Sequence, residues 1–220
     1  MFETIKANLL RIQEEIAPYR PNIIAVTKYF DVNAIIAAYE AGLRDFGESR
    51  AVEAVEKINQ LPDYVRENSK FHFIGHLQGN KVKKVVKTFD YIHSVDSLKL
   101  AAHISVEAKA EGKVQKILLQ LNNAHEIQKF GYSKETLIKE FPEILKLENI
   151  KVEGLMNMAP LGAGDDYIES LFLDVVKTKE FLEKTFNCSM NELSMGMSQD
   201  YQIAARCGAT MLRIGRKLFS

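Results

Sequence analysis

Lys28 closes the run Asn-Ile-Ile-Ala-Val-Thr-Lys, an apolar stretch that ends in an amine. A lysine at the C-terminal tip of a first β-strand can be partly desolvated, which lowers its pKa and makes it a nucleophile toward an aldehyde. Two later segments carry residue types that suit an anion: Leu-Ser-Met-Gly-Met-Ser-Gln-Asp at residues 193–200 and Leu-Arg-Ile-Gly-Arg at residues 212–216. Small residues, hydroxyls and a glycine let backbone N–H groups come close to a phosphate. Ser198 stands just before a helix, where its hydroxyl either caps that helix or meets the anion. Side chains alternate along a strand, so Arg213 shares a face with Gly215 and not with Arg216.

The histidines argue against a metal. His72 and His76 are four apart, which on a strand separates them by roughly 13 Å, too far for a zinc ligand pair. His93, His103 and His125 are isolated in the sequence and are read as surface or core residues. Asp45 and Glu48 could pair as carboxylates, but their spacing demands no acid–base role. The basic run Asn-Lys-Val-Lys-Lys-Val-Val-Lys (residues 80–87) reads as a helix with Val82, Val85 and Val86 inward and its lysines solvated.

The elements that must position these residues follow from periodicity. Phe2, Ile5, Leu9, Ile12 and Ile16 are spaced 3, 4, 3 and 4 apart, one helical stripe. Pro18 and Pro21 stop it. Short apolar runs then alternate with helical patterns. The runs are residues 23–26, 45–47, 71–75, 91–95, 117–121, 152–158, 193–196 and 211–215, eight in all. Helices between them include residues 32–40, a long one with Ile168, Leu171, Phe172, Val175 and Leu182 on one face, and residues 200–207 with Gly208 as C-terminal cap. Strand then helix, repeated with no long linker, predicts right-handed crossovers and a parallel sheet. Eight units in about 200 residues suit a closed (β/α)8 barrel near its minimum size, preceded by one extra helix. An open doubly wound sheet would be marked by a GxGxxG turn, and the sequence has none. In such a barrel the lysine lies on the catalytic face, and the loops after strands seven and eight form the common phosphate site.

Composition sets the outer bounds. The 220 residues are 46% hydrophobic and 26% charged, an ordinary globular balance. Lys plus Arg equals Asp plus Glu at 29 each, so overall charge favours neither nucleic acid nor an anionic membrane. No apolar stretch approaches the roughly 20 residues of a membrane span. The N-terminus lacks the design of a signal peptide. Cys188 and Cys207 are too few for a disulfide framework or zinc site and are read as reduced residues of a cytoplasmic protein.

Together the motifs carry a resemblance. Ala-Val-Thr-Lys (25–28), Phe-Gly-Glu (46–48), Phe-His-Phe-Ile-Gly-His-Leu-Gln-Gly-Asn-Lys (71–81), Gly-Leu-Met (154–156), Leu-Ser-Met-Gly-Met-Ser-Gln-Asp and Arg-Ile-Gly occur in order along nearly the whole chain. The sequence resembles the pyridoxal phosphate homeostasis family, whose members are single barrels similar to the N-terminal domain of alanine racemases. The resemblance implies one domain over residues 1–220, a fold type III barrel that binds pyridoxal 5'-phosphate (PLP). It implies that Lys28 holds PLP as a Schiff base, and that Ser198, Gly215 and the backbone of Arg216 hold the phosphate. It places Arg213 where racemase-like barrels set an arginine against the pyridine nitrogen, and Ser194, Met195 and Ser49 complete the expected cofactor contacts. The chain departs from the family pattern at Ser49 (usually asparagine), Gly79 (often serine), Asn157 (usually threonine) and Arg216-Lys217 (usually small residues).

Arginine only donates hydrogen bonds, so Arg213 can bond the ring nitrogen only when that nitrogen is unprotonated. That weakens the electron sink most PLP enzymes need. Racemisation also needs a second acid–base group, which in alanine racemases is a tyrosine from another domain; the sequence stops at Ser220, and Tyr29, Tyr132 and Tyr201 are not aimed by anything in it. The expected function is therefore reversible PLP storage and delivery to PLP-dependent apo-enzymes by a monomer, with little or no catalysis. The competing readings are a PLP-dependent amino-acid racemase and, if Lys28 is unmodified, a cofactor-free metal or acid–base barrel.

Overall fold

The computed structural model describes residues 1–124 and 130–220. The N-terminal stripe forms α1 (Phe2–Glu15), with Ile5, Leu9 and Ile12 buried. The chain then runs β1 (Asn22–Val26), α2 (Val32–Glu40), β2 (Asp45–Glu48), α3 (Ala51–Asn59), α4 (Asp63–Arg66), β3 (Lys70–Phe73) and α5 (Val82–Thr88). It continues with β4 (Tyr91–Val95), α6 (Leu98–Ala110), β5 (Gln115–Leu121), α7 (Lys134–Leu145), β6 (Ile150–Asn157) and α8 (Asp165–Phe186). The last elements are β7 (Glu192–Ser194), α9 (Tyr201–Arg206), β8 (Met211–Ile214) and α10 (Arg216–Phe219). The eight strands close a parallel barrel in sequence order, and β1 pairs with both β2 and β8.

All eight expected strands are present, each shifted by two residues or fewer at its ends. The exception to the helix pattern is α10, for which the sequence carries no apolar period. Its place is set by tertiary contact: Asn8 of α1 donates to the carbonyls of Leu218 (3.1 Å) and Ser220 (2.9 Å). That fastens the extra N-terminal helix to the end of the barrel. In α5, Val82, Val85 and Val86 are buried and Lys83, Lys84 and Lys87 are exposed, the solvated face expected of that run.

Two cores result. The larger lies between the sheet and the surrounding helices. The smaller fills the barrel interior with Ile24, Tyr91, Leu118, Met156 and Met211. Paired residues on adjacent strands point to the same side of a sheet. Ile24 pairs with Asp45 and with Arg213, and His72 pairs with Tyr91, so these polar side chains share the interior with that apolar set. Among the described residues no helix is long and apolar enough to cross a membrane.

Candidate functional site

Lys28 lies two residues past the end of β1, in the turn that leads to α2. It is half-buried, and its ammonium lies 5.1 Å from the centroid of the exposed Tyr29 ring. The turn is held at several points. Thr27 N–H donates to Gly47 carbonyl (3.0 Å), and Phe30 N–H donates to Thr27 carbonyl (2.9 Å). Asp31 caps α2 by accepting from Ala34 N–H (3.1 Å). From α3, the Lys57 ammonium donates to the carbonyls of Thr27 (2.8 Å) and Phe30 (2.9 Å), on either side of Lys28. Lys57 also pairs with Glu48 at 2.6 Å, and Glu48 accepts from the Thr27 hydroxyl at 2.7 Å. Glu48 is thus a structural anchor beneath the lysine turn. It does not pair with Asp45, which faces the barrel interior from the other side of β2.

The segments after β7 and β8 meet beside this turn. An atom built as a side chain on Gly215 would touch Val26 at 3.5 Å, so Gly215 adjoins the end of β1. The Ser198 hydroxyl accepts from Gly215 N–H at 3.3 Å. The cap of α9 falls to Asp200, so Ser198 is released from the capping role and keeps its own hydrogen to donate. Gly215 also precedes α10, whose first N–H groups have no partner within the helix. Asp200 is buried and turned back onto Met197 N–H (2.5 Å). Burial raises its pKa, against the opposing pull of that N–H group and of Arg213. Gly196, at φ +93°, makes the loop possible: a Cβ there would lie 2.5 Å from Ala204 Cβ and 2.9 Å from Leu212 Cδ2. The corner therefore offers a hydroxyl and helix-terminal N–H groups, a donor set that fits a phosphate.

Arg213 is 4% exposed, and its guanidinium donates to the Ser194 hydroxyl (2.5 Å) and to the Asn157 carbonyl (2.7 Å). Ser194 and Asn157 end β7 and β6, so the guanidinium sits at the C-terminal end of the lumen. Burial draws its pKa down to about 10, with Asp200 opposing the drop, and it remains a cation at neutral pH. The Asn157 amide donates to Leu121 carbonyl (2.9 Å) and Asn123 Oδ1 (2.8 Å), which fixes the strand end that receives Arg213.

A model of the alanine racemase N-terminal domain family matches residues 2–220. The pyridoxal phosphate homeostasis protein of Synechocystis sp. is 41% identical over 208 residues, covering 94% of each chain. This chain belongs to the pyridoxal phosphate homeostasis protein family. The Escherichia coli K12 protein of that name is 30% identical over 98% of this chain and 95% of its own. PipY of Synechococcus elongatus, 35% identical, covers 98% of this chain and 100% of its own, with TM-score 0.92 without PLP and 0.88 with PLP bound. Alanine racemase of Clostridium difficile shares the fold at TM-score 0.78 and 17% identity, with 99% of this chain covering 56% of that one.

Within this homeostasis-family barrel, the structure brings Lys28, Ser198, Gly215 and Arg213 to one end and sorts the remaining expected residues. The Arg216 side chain is exposed, which leaves its backbone as the part beside the corner. Ser194 does not offer its hydroxyl to the loop side, because Arg213 and His93 already hold it. Met195 faces the opposite way from Ser194, is fully buried in the sheet–helix core, and gives its N–H to Met211 carbonyl (3.2 Å). Ser49 lines a cleft of about 360 Å³ with Arg50, Phe73, His76, Leu77 and Lys81. Its backbone passes so close to Gly75 that a Cβ there would lie 2.2 Å from the Ser49 carbonyl oxygen.

His93 is not isolated: Nε2 lies 2.9 Å from His72 Nδ1 and Nδ1 lies 2.9 Å from Ser194 Oγ. Strand parity was the available signal, since His93 shares a face with Tyr91. His76 stacks on Phe130 at 3.6 Å between centroids, His103 lies 3.7 Å from Glu107, and His125 falls outside the described residues. Of the tyrosines, Tyr132 is committed to Glu140 (3.1 Å) and Tyr201 to Glu15, while Tyr29 stands at the lysine turn.

Proposed function

We propose that this chain holds PLP reversibly as a Schiff base on Lys28 and stores or delivers the cofactor, with little or no turnover of substrate. It would work as a single PLP-binding domain over residues 1–220, as a cytoplasmic monomer serving PLP-dependent apo-enzymes. PLP supplies an aldehyde carbon with which a lysine amine condenses, releasing water. Lys28 is the half-buried amine at the correct end of the barrel, in a turn fixed on both sides. Ser198, Gly215 and the start of α10 would hold the phosphate. Support for PLP as the ligand comes from the names of the relatives and from PipY with PLP bound.

The observation that favours holding over racemisation is the engagement elsewhere of two of the three candidate tyrosines, while Arg213, which racemase-like barrels also carry, tempers the ring. The buried Arg213 guanidinium is anchored by Ser194 and Asn157 and can only donate. Set against a ring nitrogen, it keeps that nitrogen unprotonated and the ring a poor electron sink.

The test is spectroscopic. Purified protein incubated with PLP should gain the absorbance of a lysine Schiff base, and Lys28→Ala should lack it. Wild type that cannot be loaded would overturn the reading. Loaded protein should exchange the Cα hydrogen of L-amino acids in deuterated water far more slowly than the roughly 1 per second of an ordinary enzyme. Exchange or racemisation at that rate would favour the racemase instead.

A further inference from the structure

Five polar side chains form an unbroken hydrogen-bonded line across the barrel lumen. Asp45 Oδ1 lies 2.8 Å from His72 Nε2, and His72 Nδ1 lies 2.9 Å from His93 Nε2. His93 Nδ1 lies 2.9 Å from Ser194 Oγ, which accepts from Arg213 at 2.5 Å. The line runs from the first residue of β2, through β3 and β4, across to β7 and β8. His72 and His93 are fully buried, and Tyr91 stacks on His72 at 4.8 Å and 10°, which fixes the plane of that imidazole.

The Asp45 end sets the direction of the line, since a serine oxygen could accept from both Arg213 and His93. Arg213 can only donate, and an ionised carboxylate can only accept. Burial would raise the pKa of Asp45, but the hydrogen bond from His72, with Asn22 and Lys70, holds it below the ordinary carboxylate range. His72 therefore carries its proton on Nε2 and donates to Asp45. His93 then carries its proton on Nε2 and donates to His72 Nδ1. Ser194 takes a hydrogen from Arg213 and has its own to give, with His93 Nδ1 in line to receive it. Each donor meets an acceptor and both imidazoles are neutral. Reversing the line with neutral rings would set an unprotonated His72 Nε2 against a carboxylate, two acceptors face to face. Reversing it with a doubly protonated His72 would put a second cation in the lumen that already holds the buried Arg213.

We propose that Asp45, His72, His93 and Ser194 are a one-way positioning relay that turns the Ser194 hydrogen toward His93 and its lone pairs toward Arg213, and so fixes which guanidinium N–H groups face the barrel mouth. The coupling to PLP rests on the function proposed above; the relay itself does not.

The test begins on protein without PLP, with 15N-labelled histidine. At neutral pH, both His72 and His93 should be neutral and protonated on Nε2. Protonation of His93 on Nδ1, or a charged ring at either position, would overturn the relay. Asp45→Asn keeps the shape but lets the end group donate as well as accept, so His93 should become a mixture of tautomers. Asp45→Glu should restore a single one. In PLP-loaded protein, Asp45→Asn should release PLP about three- to tenfold faster, the effect of weakening one buried hydrogen bond, with a shifted absorption band that Asp45→Glu rescues. A lowered melting temperature with unchanged His93 tautomer and unchanged PLP release would reduce these residues to packing and refute the proposal. Neutral Nε2–H rings in a protein that fails to bind PLP would instead refute the function and leave the relay standing.

Discussion

Replacing Lys57 with methionine should destabilise the fold well beyond what a lysine-to-methionine change on a helix surface would do. The Lys57 side chain is 12% exposed and that of Glu48 is 2% exposed, so their 2.6 Å pair is a buried one. Removing the cation leaves Glu48 with the Thr27 hydroxyl but no compensating charge, and leaves the carbonyls of Thr27 and Phe30 without their ammonium donor. Breaking one side of a buried pair costs about 3–5 kcal/mol. Taking both charges away, in Glu48→Gln with Lys57→Met, removes the orphaned carboxylate and should cost about 1–2 kcal/mol. Urea unfolding of wild type, both single variants and the double variant, followed by far-UV circular dichroism, gives the full cycle. Because Lys57 spans the two sides of Lys28, PLP release from the folded single variant should also be faster than from wild type. A loss below about 1 kcal/mol in Lys57→Met would place the pair with ordinary surface salt bridges and refute the anchoring argument.

Burial first, with the nearby charge of Arg213, holds the His93 imidazole well below its ordinary value of 6.5. The unfolded chain then takes up a proton that the folded chain refuses, so stability should fall as pH drops from about 6.5, by up to about 1.4 kcal/mol per pH unit. His93→Gln should remove that slope, and wild-type stability that stays level from pH 7 to 5 would contradict it. Gly196→Ala should cost about 3 kcal/mol or more, from positive φ and the 2.5 Å approach to Ala204. Gly208→Ala, at the same φ of +93° but with open space around it, should cost only about 1–2 kcal/mol in the same unfolding assay. Ser198→Ala should speed PLP release by an amount equivalent to about 1–3 kcal/mol if the hydroxyl donates to a buried phosphate; an unchanged release rate would remove it from the site.

Local order was legible because it repeats over short distances. The spacing of Ile5, Leu9 and Ile12 marked the buried face of α1, and residues 32–40 form α2 with the expected ends. Eight alternating runs were enough for a parallel barrel, and that alone sets Lys28 beside the loops of Ser198 and Gly215, since parallel strands end on one face. Short polar stretches were harder. Asp45 and Glu48 are three apart, and the pleat sends one into the lumen and the other beneath the lysine turn. Ser194 and Met195 are neighbours that part in the same way.

The sequence by itself determined the elements, their order, the end of the barrel that carries the chemistry and the family motifs. The tertiary structure decided which polar side chains meet. His93 looked solitary because its partners are 21 and 101 residues away, and only closure of the sheet through β1 and β8 brings β4 opposite β7. Lys57 reaches back 27 and 30 residues to the carbonyls around Lys28. Periodicity records which face of an element is buried, but not what lies across from it. Inside a closed lumen a buried donor must find an acceptor or bear the cost of desolvation, and that requirement joins Asp45 to Arg213 through residues that no local pattern connects.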